Sequence, residues 1–520
     1  MATLNASPTA DPPAKPYYPR GFRPTRGLNW GYLGLLYTTF YLCRYNLSIA
    51  NKSISDELHL SYSDMSNILT AWTLCYAFGQ IINGLITDRI GGKWAMLIGA
   101  FGTIVLNVLF GAASAWGILG LFIAIRGIDG YVQSFGAPGM TKIKTAWFAK
   151  TERGGFAGIF GFMINLGRFG IFTFGPALLA GFTILGMINV DPLHWKWLFW
   201  GPSIICAIVA IAMAFEVKET PEEHGYLHIE DYAGPNPKDV WVGRGLVTAL
   251  ILVGAAVAVG FLYHRQVISK MDMGLIFVAA IVIIFLFLHR LARKNKLKRP
   301  EHTLSREEVA AATRADVLSA LKAILRNPAV WLVAMAYACT GAVRQPVDQW
   351  FPRYMQEVFS TDLKSVQFQF LAFLIPLVAS AGSWISGIIS DKLFAGGRAP
   401  VASGLYLIEA AVVFFAFLFV KSANMAVLFF VLISFTANST HSILGTAAAM
   451  DIGGRKMTGF AAGLIDSFQY FGASLGLWGL GHILDGWGFK YYFLYMVPFG
   501  LLGFALMFFG RKIIERHSHG

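Results

Sequence analysis

The sequence contains few charged residues for its length. Of its 520 residues, 14% are Asp, Glu, Lys or Arg, whereas about 25% is usual in a water-soluble domain. By contrast, 56% are hydrophobic, and they form long apolar runs separated by short polar stretches. This composition excludes a soluble globular protein and predicts an all-α polytopic membrane protein.

Cysteine is also scarce, and several signatures of chemistry are missing. The four cysteines (Cys43, Cys75, Cys206 and Cys339) lie in apolar segments without metal-ligand spacing, so we expect free thiols, no disulfide and no metal. The sequence has no Walker-type phosphate loop and no paired carboxylate motif in a soluble segment. We therefore predict neither an enzyme nor a cofactor. Residues 1–27 lack the ordered regions of a signal peptide, so the first helix is expected to direct insertion.

The hydrophobic runs predict fourteen membrane helices and their orientation. The helices lie near residues 28–50, 66–87, 95–115, 118–140, 155–186, 196–216, 244–263, 272–289, 329–355, 367–390, 401–420, 425–448, 459–484 and 491–510. The loops after even-numbered helices and both termini hold 30 of the 42 Lys and Arg residues, and the opposite face holds 8. Excess Lys and Arg mark the cytoplasmic side, so both termini are predicted to be cytoplasmic. The net charge of +13 thus reflects topology and does not indicate a nucleic-acid partner.

Matching segments indicate that the chain is an internal duplication. The matches are GLITDRIGGKW with GIISDKLFAGGRA, and GGFAGIFGFMINLGRFG with TGFAAGLIDSFQYFGASLG. The offset is 303 residues between Asp88 and Asp391, and 300 residues between Arg44 and Arg344. Such a repeat predicts two pseudo-symmetric six-helix bundles.

Six plus six helices leave two over, and both fall between the bundles. We therefore expect an N-terminal tail, a first bundle, a central segment with two inserted helices, a second bundle and a C-terminal tail. These regions comprise residues 1–27, 28–216, 217–328 (with the inserted helices at 244–263 and 272–289), 329–510 and 511–520. In 301–326 apolar residues recur at helical spacing, so this stretch is either an amphipathic helix or a tether.

The repeated loop motif resembles the signature of the major facilitator superfamily, Gly-x-x-x-Asp-basic followed by glycines and a further basic residue. In that superfamily the signature lies between helices 2 and 3, and RGIDG (126–130) resembles its helix 4 motif. The resemblance implies the major facilitator fold, alternating access and a gating role for both loops. The residues concerned are Gly84, Asp88, Arg89, Gly92 and Lys93 in the first copy, and Asp391, Lys392 and Arg398 in the second.

Two arginines, Arg44 and Arg344, occupy matching places in the two halves, each within an apolar stretch. A charge at bilayer depth costs at least about 2.5–3.5 kcal/mol, so an unpaired one indicates a function. Arg344 could pair with Asp348, four residues on. Arg126 could likewise pair with Asp129, whereas Arg44 has no acidic neighbour in its own helix. Because the guanidinium fork fits phosphate and carboxylate, we predict that the two arginines clamp an organic anion.

The opening segment, YLCRYNLSIANKSISDELHLSYSDMSNILTAWTLCYAFGQ, resembles the organophosphate:inorganic phosphate antiporter family. The segment SFGAPGMTKIKTAWFAKTERGG and an Arg-Trp-Pro pattern (Arg344, Trp350, Pro352) extend the resemblance. In that family the paired arginines hold the phosphate, which carries over to Arg44 and Arg344. The other side chains expected at the site are Tyr41, Tyr45, Trp72, Tyr76, Gln80, Asn165 and Trp350.

Three positions depart from the sugar-phosphate and glycerol-phosphate carriers of that family. Gln80 stands where helix 2 usually has lysine, and Asn165 where helix 5 usually has histidine. Tyr45 follows the helix 1 arginine, where lysine is common. Fewer positive groups favour a less charged anion or a different coupling scheme.

The resemblance implies exchange of an organophosphate for inorganic phosphate, which we predict, and we keep two alternatives. One is a proton-coupled symporter of a carboxylate or sugar acid, similar to the anion:cation symporters, with Asp348, Asp466 or His441 taking the proton. The other is a transporter-like membrane sensor of a phosphorylated sugar. In each case we expect a monomer in a bacterial inner membrane.

Overall fold

Nearly all of the described chain is helical. The computed structural model describes residues 18–19, 21–148, 153–184, 186–227, 270–293, 325–394 and 398–517. The first group of helices is α1 (Phe22–Leu58), α2 (Tyr62–Ile90), α3 (Gly92–Ala112), α4 (Leu119–Gln133), α5 (Gly136–Trp147), α6 (Arg153–Ala180) and α7 (Trp197–Glu216). Then follow α8 (Lys270–Arg293), α9 (Pro328–Phe359), α10 (Val366–Leu393), α11 (Arg398–Phe419), α12 (Ala423–Ser442), α13 (Ala449–Trp487) and α14 (Val497–His517). A π-helical turn (Ile443–Ala448) joins α12 to α13, and a hairpin of β1 (Phe182–Ile184) and β2 (Ile188–Val190) follows α6.

Two predicted helices have different boundaries in the structure. The helix expected at 118–140 is divided into α4 and α5, because Pro138 lacks an N–H and its ring crowds the carbonyl four residues earlier. The helix expected at 155–186 ends at Ala180. Gly181 adopts a φ of 76°, a left-handed conformation that favours glycine, and the chain then turns into the antiparallel hairpin.

Eight helices in the described ranges are long and apolar enough to span a bilayer: α2, α3, α6, α7, α10, α11, α12 and α14. The helices that carry Arg44 and Arg344, α1 and α9, are not among them, since their buried faces hold many polar residues. The inserted helix predicted at 272–289 is α8, but the one predicted at 244–263 and nearly all of 301–326 lie outside the described residues. The number fourteen therefore stays a prediction.

The same four helix pairings occur in both halves of the chain. In the first half α1 packs against α6 and α7, α2 against α4, and α3 against α7. In the second half α9 packs against α13 and α14, α10 against α12, and α11 against α14. The packing thus follows the duplication seen in the sequence. The halves meet mainly along α2 and α13, α6 and α10, and α1 and α9.

The inserted helix α8 packs against the first half of α1. Phe285 contacts Tyr32 with ring centroids 4.7 Å apart, and the Tyr32 hydroxyl forms a 3.0 Å hydrogen bond with Nε2 of His289. The opposite face of α8, which includes Ile283 and Phe287, is exposed. This helix therefore contributes to the periphery of the first half.

Glycines allow α9 and α13 to approach each other closely. A Cβ at Gly472 would collide with the Ala338 carbonyl, and one at Gly341 would collide with the Gln469 carbonyl. Because these contacts are with backbone atoms, no rotamer change could relieve them. Small residues at such crossings are how membrane helices pack without a hydrophobic driving force.

We expect Gly472→Ala to destabilise the protein by about 1–3 kcal/mol or more, because the added methyl would overpack the α9–α13 contact. The measurement is the midpoint of thermal unfolding of the detergent-solubilised protein. Gly463→Ala is the matched control, since Gly463 lies on the same helix with open space around its Cβ position. Equal midpoints for the two variants would contradict this packing.

Candidate functional site

Arg44 is held between the two halves of the protein. Its side chain is 1% exposed at the middle of α1. Nη1 donates to the hydroxyl of Tyr470 on α13 (3.1 Å), and Nε donates to Oε1 of Gln133 on α4 (3.4 Å). Nη2 is buried and has no hydrogen-bond partner among the described residues. One edge of the guanidinium is thus uncommitted.

Aromatic rings surround the same guanidinium. Its carbon lies 4.4 Å from the ring centroid of Tyr41, 4.6 Å from that of Trp72 and 4.8 Å from that of Tyr76. Trp72 and Tyr76 are stacked, and Tyr76 contacts Tyr470 with centroids 4.3 Å apart. Cation–π attraction stabilises the charge without occupying its N–H donors. The structure therefore brings three of the predicted aromatic side chains to Arg44.

A network of hydrogen bonds within the first half holds Arg44 in position. Arg126 donates to Asp129 (2.9 Å) and to the carbonyl of Arg44 (2.7 Å). Gln133 donates to both oxygens of Asp129 (3.2 Å) and accepts from Arg44. Trp72 also donates to Asp129 (3.1 Å). The predicted Arg126–Asp129 pair therefore forms, and its role is to orient the helix and side chain that present Arg44.

Arg344 is buried in a corresponding position on α9. Its Nε donates to Oδ1 of Asn438 on α12 (3.1 Å), and no hydrogen bond to Nη1 or Nη2 is present in the part of the chain that the structure describes. Asn438 lies 305 residues after Gln133, so each arginine has its Nε held by an amide from the equivalent helix of its own half. Sequence reasoning missed both amides, although their spacing matches the repeat offset.

Asp348 pairs with an arginine of the other half. The pairing with Arg344 that the spacing allowed is long, with Nε 3.9 Å from Oδ2. The close partner of Asp348 is instead Nη2 of Arg168 on α6, and the hydroxyl of Tyr45 on α1 donates to Oδ2 (3.4 Å). Sequence spacing could not reveal this pair, because its members are 180 residues apart.

The remaining predicted polar residues form hydrogen bonds, either between the two halves or within one half. Gln80 donates to Oδ2 of Asp466 (2.9 Å), and this bond joins α2 to α13. Asn165 donates to the hydroxyl of Ser380 (2.7 Å), which joins α6 to α10. His441 forms a hydrogen bond with the hydroxyl of Tyr337 within the second half.

Trp350 belongs to a different region from the arginine pair. Its ring contacts are with Tyr62, Phe489 and the guanidinium of Arg353. These residues lie toward the end of the protein where α1 leads into α2 and α9 into α10, which we call the closed end. The position of Trp350 six residues beyond Arg344 on α9 places it nearly two turns away, so it does not join the predicted cluster of aromatic side chains.

Polar contacts seal the closed end. Arg353 donates to Oδ1 of Asn51 (2.8 Å) and to the hydroxyl of Ser55 (3.0 Å), both on α1. Asp485 of α13 accepts hydrogen bonds from the first backbone N–H groups of α2, at Tyr62 (2.9 Å) and Ser63 (3.0 Å). These bonds tie the two halves together, and sequence reasoning identified none of them.

The predicted gating residues of the first copy lie at the opposite end. Lys142 of α5 donates to the Asp88 carbonyl (2.8 Å) and lies 3.8 Å from its carboxylate. The Gly92 N–H donates to Glu219 (2.8 Å), and a Cβ at Gly92 would crowd the backbone of α5. Arg89 is exposed, Lys93 is half-buried, and Gly84 has open space beside it.

In the second copy, Arg398 donates to the hydroxyl of Ser390 (2.9 Å). The side chains of Asp391 and Lys392 lie outside the described residues. The gating role of the two loops therefore stays a prediction.

Comparison with known proteins supports one family. The profile of the Major Facilitator Superfamily matches residues 33–294 and 245–477. The chain is 24% identical over 465 residues to the Membrane sensor protein UhpC of Escherichia coli (strain K12), which covers 88% of this chain and 86% of that protein. It is 23% identical over 498 residues to a Probable hexose phosphate transport protein of Chlamydia trachomatis, with 93% and 91% covered.

Two further likenesses extend this picture. The chain is 24% identical over 443 residues to the Glycerol-3-phosphate transporter of Bacillus subtilis, with 84% of this chain and 81% of that protein covered. Among solved structures, a bacterial homolog of the human lysosomal transporter Spinster, in an inward-facing and unoccupied conformation, matches with a TM-score of 0.64. That match has 13% sequence identity and covers 95% of this chain and 98% of the other, so it shows the fold alone.

We expect Gln133→Leu to weaken anion binding about tenfold or more, because a hydrogen bond to a charged group contributes about 1.5–3 kcal/mol. The measurement is equilibrium binding of labelled inorganic phosphate to the solubilised protein. Thr103→Val is the control, since it removes a buried hydroxyl that has no partner among the described residues. Unchanged binding by Gln133→Leu would show that this amide does not position Arg44.

Proposed function

Because the chain belongs to the major facilitator superfamily, we propose that it is a secondary transporter that exchanges an organophosphate for inorganic phosphate by alternating access. The chain is a multi-pass membrane protein with the predicted major facilitator fold. The organophosphate would be a sugar phosphate or a glycerol phosphate. The similarity to a probable hexose phosphate transport protein of Chlamydia and to the glycerol-3-phosphate transporter of Bacillus supports this substrate class.

The observation that carries the proposal is the pair of buried arginines. Arg44 and Arg344 are each anchored through Nε, and each keeps terminal N–H groups uncommitted in the described part of the chain. A guanidinium presented in this way can donate two parallel hydrogen bonds to phosphate oxygens. An amide anchor holds each side chain without neutralising its charge.

The charges between the halves also favour an anion. Arg44, Arg168 and Arg344 contribute three positive charges, and Asp348 and Asp466 contribute two negative charges. The Arg126–Asp129 pair is neutral overall. The excess positive charge would be balanced by a bound anion, since an uncompensated charge at membrane depth is costly.

The orientation and the gates complete this proposal. From the distribution of Lys and Arg we place both termini in the cytoplasm. We further propose that the protein is a monomer in a bacterial inner membrane. The loop around Asp88 and its counterpart around Asp391 would then gate the cytoplasmic end. The closed end, with Arg353 and Asp485, would face outward.

Two alternatives each have a supporting observation. A membrane sensor is supported by the likeness to the protein of that name in Escherichia coli. A proton-coupled carboxylate symporter is supported by the uncharged Gln80 and Asn165, and there Asp348, Asp466 or His441 would bind the proton.

Exchange by purified protein in liposomes tests the proposal. We expect vesicles loaded with inorganic phosphate to take up labelled glycerol 3-phosphate or hexose 6-phosphate, with no requirement for a pH gradient. Labelled hexuronate should enter only if the carboxylate alternative holds, and then only with a proton gradient. Binding of hexose phosphate without uptake would indicate the sensor and contradict the transporter.

Arginine variants then test the site itself. We expect Arg44→Lys and Arg344→Lys to lose exchange by about a hundredfold or more, because lysine keeps the charge but cannot donate bidentately. Lys421→Arg is the control, as an exposed basic residue in the loop between α11 and α12. Transport by Arg44→Lys at the rate of the unmodified protein would contradict the clamp.

Alternating access requires the α2–α13 contact to change during transport. The hydroxyls of Thr73 and Ser474 lie 2.9 Å apart across this contact. We expect a Thr73→Cys/Ser474→Cys variant, in a background without the native cysteines, to stop exchange when oxidised to a disulfide and to recover on reduction.

The matched control for this cross-link is Thr183→Cys/Asn189→Cys. These residues face each other across the hairpin, with 2.7 Å between their side-chain oxygens, so a disulfide there joins nothing across the halves. It should leave exchange unchanged. Continued exchange by fully oxidised Thr73→Cys/Ser474→Cys would contradict motion at the α2–α13 contact.

A further inference from the structure

Glu409 is a buried carboxyl that the anion site does not use. It lies on the inward face of α11 and is 0% exposed. Both carboxyl oxygens are buried, and neither has a hydrogen-bond partner among the described residues. The next residue, Ala410, packs against Gly500 of α14, so this carboxyl lies inside the second half of the protein.

An ionised carboxylate is unfavourable in these surroundings. Buried charges in proteins are paired or coordinated, and an unpaired one neutralises itself by binding or releasing a proton. Acidic side chains within membrane helices are rare for the same reason and mark functional sites. The buried position of Glu409 in this structure therefore disfavours its ionised form.

The groups that face Glu409 offer no compensating charge. In the described part of the chain, the titratable groups that interact with its carboxyl are the Cys339 thiol of α9 and the Tyr406 phenol of α11. Along α12 the one titratable side chain is His441, which is bound to Tyr337. Along α14 the charged residues begin only at Arg511.

Glu409 lies beside the contact that joins α11 to the helix of Arg344. The hydroxyl of Tyr406, one turn before Glu409, forms a 2.6 Å hydrogen bond with the hydroxyl of Thr340 and also donates to the carbonyl of Ala336. Thr340 precedes Arg344 by one turn of α9. A change of charge at Glu409 would therefore act on the packing of the helix that presents Arg344.

We infer that Glu409 is a proton-binding site of the transport cycle. The carboxyl is protonated in this conformation and loses its proton to water in a conformation that hydrates the α9–α11 contact. The O–H bond breaks, its electron pair stays on the carboxylate, and the proton enters the aqueous phase. Because the two conformations differ in affinity for a proton, a pH gradient biases their populations.

The test uses the full-length protein in liposomes, with labelled inorganic phosphate as the probe and a pH-sensitive dye inside. The choice of phosphate as the probe rests on the proposed function. We expect an acidic exterior to accelerate the exchange of external labelled phosphate for internal phosphate and to carry protons inward. Glu409→Gln, which resembles the protonated form, should lose this stimulation by about tenfold, while phosphate–phosphate exchange at equal pH on both sides stays within about twofold.

Two variants separate titration from packing. Glu409→Asp keeps a carboxyl and should retain the response to pH. Cys339→Ala removes the neighbouring thiol and should also retain it. A Glu409→Gln protein that still moves protons with phosphate would contradict the inference. Phosphate exchange by the unmodified protein without any proton movement would also contradict it, and would leave the proposed function standing.

A chemical measurement on the unmodified protein is independent of phosphate transport and of how the variants fold. Dicyclohexylcarbodiimide reacts with protonated carboxyls in apolar surroundings, and mass spectrometry locates the adduct. We expect labelling at Glu409 that decreases as the pH rises, and none at Glu357, which is bound to Arg353 and Tyr62. Absent labelling, or labelling that is the same at every pH, would overturn the inference.

Discussion

Burial of the Arg44 charge is the constraint on which the rest of the site depends. A guanidinium in a membrane interior must be stabilised, yet a carboxylate partner would neutralise it and prevent anion binding. Here an amide, Gln133, and a phenol, Tyr470, accept the hydrogen bonds, and aromatic rings cover the faces. The carboxylate of Asp129 accepts a hydrogen bond from Gln133 and forms its ion pair with Arg126, not with Arg44. The charge of Arg44 therefore remains available to an anion, while these contacts fix the position of the guanidinium.

Because the chain is duplicated, a similar arrangement surrounds an arginine in each half, and the two arrangements differ in their ion pairs. Gln133 and Asn438 hold the Nε atoms of Arg44 and Arg344 from equivalent helices. The symmetry ends at the ion pairs, because Asp348 has no counterpart beside Arg44 and pairs across the halves with Arg168. One arginine is thus surrounded by rings and the other lies near an acid. An asymmetric site of this kind can bind a ligand that has one charged end and one uncharged end.

The two types of contact in the fold suit two different tasks. Within each half, helices such as α9 and α13 interlock through glycines against backbone, and these contacts cannot slide without collision. Between the first and second halves of the sequence, many contacts are single hydrogen bonds, including Thr73–Ser474, Gln80–Asp466 and Asn165–Ser380. A hydrogen bond contributes little net free energy and can be exchanged for water. Helix pairs that interlock within a half, joined to the other half by replaceable hydrogen bonds, suit a rocking motion.

The sequence by itself determined the class of protein, the duplication, the positions of most helices and the two arginines, because hydropathy, repeat offsets and isolated charges are local properties of a chain. It did not determine the partners of those arginines. Asp348 was a possible partner of Arg344, but its close partner is Arg168. Trp350 was expected at the anion site and lies at the closed end. Gln133, Tyr470 and Arg353 were not anticipated at all. Such contacts join residues between 89 and 426 positions apart, and only the packing of helices decides which of many buried polar side chains meet.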